Sequence, residues 1–139
     1  MSDPAYTNQY AFNVGDDDNT DPDSVTFDGC NTKRTGVAAN DKFHIRFGIE
    51  NTGGKDTSSV SWRVHYNTTN SFSTATQITT STDNDFVMAG GQPDNNANTD
   101  TTVCTGTGSR VNGRYFEDPS TECVAFKVGD GQFVELQAC

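Results

Sequence analysis

Two consecutive runs of strict alternation constrain this chain more than anything else in it. In "KFHIRFGIE" (42–50), Phe43, Ile45, Phe47 and Ile49 share one parity, and His44, Arg46, Gly48 and Glu50 share the other. After the turn-forming "NTGGKDTS", the run "SVSWRVHYN" sets Val60, Trp62, Val64 and Tyr66 against Ser61, Arg63 and His65. Successive side chains of a strand point to opposite faces, so apolar residues at every second place mark a strand with one buried face. This reading puts the Phe43 and Val60 parities in a core, Trp62 included. It leaves both histidines, His44 and His65, on the surface, too far from a third ligand to make a metal or catalytic site.

Further short strands are expected at "NQYAFNV" (8–14), "DSVTFDG" (23–29), "TQITTS" (76–81), "DFVMAG" (85–90), "ECVAFKV" (122–128) and "QFVELQA" (132–138). The last two flank "GDG", which predicts a hairpin turn. In the final strand Phe133 lies on one parity and Val134, Leu136 and Ala138 on the other, so its inward face stays open. "GGQPDNNANTDTT" (90–102) and "TGTGSRVNGRYFEDPS" (105–120) read as loops, the second without the strand-to-helix setting of a phosphate cradle. No stretch carries helical periodicity. The expectation is an all-β chain, one domain over 1–139. Roughly seven or eight short strands would form an antiparallel β-sandwich of immunoglobulin-like type, with long polar loops. Hydrophobic residues make up only 32% of the sequence, but the nine Phe, four Tyr and single Trp fall largely inside the alternating runs. That concentration argues for a thin core and against disorder.

A formal net charge of −10 repels a phosphate backbone and an anionic membrane, so neither nucleic acid nor membrane is an expected partner. "MSDPAYTNQY" has neither the basic nor the apolar region of a secretory signal, which predicts synthesis in the cytoplasm and release by lysis.

Between Val14 and Val25 the chain reads "GDDDNTDPDS". Asp17, Asn19, Asp21 and Asp23, with Asp28, offer hard oxygens of the kind Ca²⁺ takes. The EF-hand pattern fails, because Pro22 occupies the glycine place and no helices flank the loop. The other reading is a solvated turn in which Asx side chains bond their own backbone. No other cofactor is expected. The clusters Asp83–Asp85 and Asp94–Asn98 read as polar loop tips.

Cys30, Cys104, Cys123 and Cys139 lack zinc-type spacing. If "GDG" closes a hairpin, Cys123 faces Gln137 and Cys139 lies diagonal to it, about 7–8 Å away and too far for an easy bridge. Cys104–Cys123 and Cys30–Cys139 are then the expected disulfides, with four reduced thiols as the alternative. Arg110, Arg114, Tyr115 and Phe116 form a basic and aromatic group unusual in so acidic a chain. They are candidates for docking a neighbouring subunit, or for tethering their own loop. No nucleophile elbow or triad spacing is present, and the chain reads as non-enzymatic.

Tyr10 and Phe12 leading into Asp16–Asp18, the turn Asn51–Gly54, and Val64 with Tyr66 carry a resemblance over roughly residues 8–90. In these features the chain resembles immunoglobulin-like modules in virion structural proteins of tailed bacteriophages and metagenomic viruses. The resemblance implies a capsid decoration, head-fibre or tail-adorning subunit on the virion surface. Such a subunit would bind a major capsid or other virion protein, form a homo-oligomer in a lattice, and catalyse nothing. The four cysteines and the long loop from Gly90 to Thr121 depart from that pattern. An extracellular carbohydrate- or cell-surface-binding β-sandwich module is the alternative expectation.

Overall fold

The computed structural model describes residues 7–16, 21–69, 71–79, 82, 85–86, 88, 97–116 and 125–139. Strands run at β1 (Thr7–Asp16), β2 (Phe43–Asn51), β3 (His65–Tyr66), β4 (Thr76–Gln77), β5 (Asn98–Thr99), β6 (Ser109–Arg110), β7 (Gly113–Phe116) and β8 (Gln132–Ala138). Helix among the described residues is limited to single 3-10 turns at Pro22–Ser24 and Phe72–Thr74. The chain is all-β.

The main sheet has the order β1-β2-β8-β7-β5, with β6 also on β8. β1, β2 and β8 pair antiparallel, whereas β6 and β7 lie parallel to β8. The expected purely antiparallel arrangement is therefore corrected to a mixed sheet. The stretch 105–116, expected as a loop, supplies β6 and β7. What admits it is glycine: a Cβ on Gly113 would sit 1.7 Å from the Glu135 carbonyl oxygen, so only a residue without a side chain can lie this close to β8.

β8 is the central strand, and Phe133 through Ala138 are all buried. That resolves its ambiguous pattern, since a strand covered on both faces has no reason to alternate. One face holds Ile49, Val134, Leu136 and Ala138 against Met88 and Val128, with Trp62, Val64, Ile78 and Phe126 packed on them. These covering residues come from a second group of extended segments. Val60 bridges Phe126 antiparallel, β3 pairs with β4, and Ile78 N–H donates to the Val64 carbonyl at 3.0 Å. In this layer the alternation holds as expected: Val60, Trp62, Val64 and Tyr66 are half-buried, and Ser61, Arg63 and His65 are exposed.

The "GDG" turn forms, with Gly131 at φ 64°, but it does not close the expected hairpin. Val128 is held instead by residue 57, its N–H donating to Thr57 Oγ1 at 2.9 Å and its carbonyl accepting from Thr57 N–H at 3.0 Å. The turn thus carries the chain from the covering layer into β8. It interlocks with the turn after β2, where Asp130 N–H donates to Asp56 Oδ1 at 2.9 Å and Gly54 N–H to Asp130 Oδ1 at 3.1 Å.

The sharpest departure from expectation is in β2. Phe43, Ile45 and Phe47 are only half-buried, while His44 and Arg46, placed outside by the pattern, are both 0% exposed. The surface reading of His44 is therefore corrected, while His65 is exposed as expected. The reason is a lid of polar loops over the second face of the sheet. A bulge in β1 between Gln9 and Ala11 contributes, because it turns Tyr10 onto this face rather than onto that of Phe12. The Tyr10 ring lies across Gly48, where a Cβ would come 2.4 Å from Cζ, and meets Phe133 edge-on at 5.9 Å.

Candidate functional site

The loop-covered face is the largest concentration of buried polar chemistry among the described residues. Asn13 on β1, His44 and Arg46 on β2, and Glu135 and Gln137 on β8 are each no more than 1% exposed. Register explains their meeting, because Arg46 pairs with both Asn13 and Gln137 and Gly48 pairs with Glu135. Arg46 is the hub. Its Nε and Nη2 donate to Gln137 Oε1 at 2.9 and 2.5 Å, and its Nη1 donates to the Thr101 carbonyl at 2.9 Å. Nη2 also reaches the Pro22 carbonyl at 2.8 Å and Asp23 Oδ1 at 3.1 Å. Glu135 Oε2 lies 3.7 Å from Nη1, and the Phe27 ring is stacked 4.8 Å from Cζ. A buried guanidinium is tolerated only when its donors and its charge are answered, and here both are.

Glu135 fixes the covering loop from below. Its carboxylate accepts from Cys104 N–H at 2.7 Å and from Val103 N–H at 3.0 Å. Tyr10 donates its hydroxyl to the Cys104 carbonyl at 2.7 Å. Burial first, then the charges of Glu135 and Glu50, push the Tyr10 phenol well above its ordinary range, so it stays a donor. Across the top, Cys104 is bonded to Cys30. This replaces the expected partners: the bridge is Cys30–Cys104, Cys139 ends β8 half-buried, and Cys123 lies outside the described residues. The expected pairing leaned on the hairpin that the chain does not make.

Of the calcium candidates, Asp17 and Asn19 lie outside the described residues. Asp21 caps its own turn, accepting from Asp23 N–H at 3.0 Å and Ser24 Oγ at 3.2 Å. Asp23 accepts from Asp100 N–H at 2.6 Å, Thr101 N–H at 3.1 Å, Thr101 Oγ1 at 2.7 Å and Arg46. Asp28 pairs with Arg34 at 2.9 Å. The described carboxylates of this stretch thus hold loops together. No group of three metal-ligating side chains occurs among the described residues.

Burial alone would raise the Asp23 carboxyl. The hydrogen bonds from Asp100, Thr101 and Arg46 outweigh it and hold the group below the usual carboxylate range. A depressed folded-state value contributes stability that is full above the unfolded value of about 4 and is lost as pH falls through the lower folded value. The urea midpoint of the wild type should therefore drop as pH is lowered from 5 to 2. The Asp23→Asn variant should start lower and show a flatter drop. Parallel curves for the two proteins would contradict the assignment.

Arg110 donates to the carbonyls of Thr99 and Thr101 and to Asn112 Oδ1, and Arg114 donates to Asn98 Oδ1 and the Gly113 carbonyl. Both tether β5 to the β6–β7 segment. Tyr115 is 0% exposed, its ring 5.9 Å from that of His44, so it belongs to the core and not to a docking surface. Phe116 ends β7. Sequence reasoning missed Arg46, Glu135 and Gln137. The available signal was a pair of opposite charges, Arg46 and Glu135, flanked by large apolar residues in two strands.

Outside the network, a depression of about 320 Å³ is lined by Asp16, Arg34, Thr35, Gly36, Val37, Asp41, Lys42 and Phe43. Comparison with protein families, curated proteins and solved structures finds no match to this chain. No described helix is long and apolar enough to cross a membrane.

Proposed function

We propose that this chain is a non-catalytic structural subunit of a virion surface, folded as an immunoglobulin-like sandwich and acting as a capsid decoration or fibre-type module. The observation that carries the reading is the use made of its buried ionisable groups. Asp23 and Glu135 each pair with Arg46, and the three are otherwise held by Gln137 and loop backbone, which suits a rigid scaffold better than a reaction centre. A disulfide across the same loops suits a protein that works outside a reducing cell, as a released particle does. The second layer over the Val134 face supports the sandwich, and the net charge of −10 suits a water-facing surface. Its partner would be the major capsid or another virion protein, in a symmetric lattice of copies. Centrifugation of purified source particles tests this: the chain should sediment with the major capsid protein in fixed stoichiometry. Recovery only as a soluble pool would end the proposal.

A further inference from the structure

Among the described residues, the two large apolar side chains left exposed are Val37 at 44% and Phe86 at 43%. Both adjoin Phe43. Val37 lines the same depression as Phe43, and the Phe86 ring meets the Phe43 ring edge-on at 6.3 Å and 85°. The Phe86 ring also meets Tyr66 edge-on at 5.1 Å and 73°, and Tyr66 Oη accepts from Asp85 N–H at 3.2 Å. An exposed ring held against two others is a preorganised apolar platform, one that loses little freedom when something packs on it.

The wall beside it is equally fixed. Arg34 is gripped by Asp16 at 3.0 Å and Asp28 at 2.9 Å, and Asp41 Oδ2 accepts from Ala38 N–H at 2.7 Å. Around the depression, the described residues set Asp16, Asp28 and Asp41 against Arg34 and Lys42, which is close to charge balance although the whole chain carries −10. Such a wall has both donors and acceptors but little excess charge among the described residues to neutralise an ion. A ligand that fits it has hydroxyls that donate and accept, an apolar C–H face for the ring, and no net charge. We infer that the depression at Val37 and Phe43, with the Phe86 platform, is a binding site for neutral saccharides. Trp62, half-buried against Phe126, is not the stacking residue.

The test is amide-shift titration with maltose, cellobiose, lactose and N,N′-diacetylchitobiose to about 20 mM, enough to fill a site as weak as about 1 mM. At least one sugar should move amides of residues 34–43, Tyr66 and Phe86. Phe86→Ala should weaken that binding roughly tenfold, and Val37→Asp should also weaken it. Both side chains are exposed, and unchanged spectra elsewhere would show that the variants fold. No shift with any of the four sugars overturns the site, as does binding that both variants leave intact. The inference does not rest on the particle reading: Phe86→Ala should still sediment with particles, so either idea can fail without the other.

Discussion

Reduction of the Cys30–Cys104 bridge should lower the unfolding free energy by about 4 kcal/mol, the chain-entropy value for a crosslink spanning 74 residues. Thermal midpoint should fall by more than about 10 °C for a chain of this size. The effect has a native-state part as well. Cys104 and Val103 present their N–H groups to Glu135, so the bridge holds the loop down on a buried carboxylate. Untied, that loop can lift more readily and admit water to the network. Urea denaturation with and without a phosphine reductant measures the first part, and hydrogen exchange at residues 103 and 104 measures the second. The double variant Cys30→Ala/Cys104→Ser should behave like the reduced protein. Its serine keeps a small polar group beside Asn13 Oδ1, which lies 2.6 Å from the Cys104 sulfur. An unchanged midpoint in both experiments would mean that the hydrogen bonds alone hold the loop.

The strands were largely legible in the sequence, and the faces were not. Alternation located β1, β2, the Val60–Tyr66 segment and β8, because extended backbone imposes period two on any half-buried surface. It misassigned β2, because hydrophobicity sorts residues correctly only where the polar ones meet water. Here the loops bring carbonyls and Asp23 to Arg46, and β8 brings Glu135 and Gln137, so its parity is buried without leaving donors unmet. Two local signs were present. The undecided parity of "QFVELQA" is what a strand covered on both faces produces. Opposite charges in the middle of two neighbouring strands, Arg46 and Glu135, are tolerated inside mainly as a pair. The bulge at Tyr10, the parallel placement of β6 and β7, and the Cys30–Cys104 pairing depend on contacts between distant residues. No single stretch encodes them, and the number of cysteines does not set their connectivity. The depression at Phe43 was hidden for a related reason: its lining comes from β1, the 34–42 segment and the start of β2, and its platform from residues 66 and 86.

Glu135→Ala should cost about 3–5 kcal/mol, the range for removing one member of a buried ion pair. The loss has two sources. Val103 and Cys104 would keep N–H groups aimed at an emptied position, and Arg46 would be left with Asp23, 3.1 Å away, as its remaining carboxylate. Glu135→Gln should fall between the wild type and alanine. Its carbonyl can still accept from Cys104 N–H, but its amide must then turn donors toward Val103 N–H or the guanidinium. Replacing both charges, as Arg46→Met with Glu135→Leu, should cost less than the sum of the single variants, because each single change strands a charge that the double change removes. Urea denaturation at pH 7 of these three proteins and of the Arg46→Met and Glu135→Leu single variants gives all five values. Additive costs, or a loss for alanine below about 1 kcal/mol, would mean the two side chains do not act as a unit. The network and the bridge secure the same loop, so their effects should reinforce each other. Natural domains are stable by only about 5–15 kcal/mol, and losing both restraints should leave Glu135→Ala unfolded in reducing buffer yet folded in oxidising buffer.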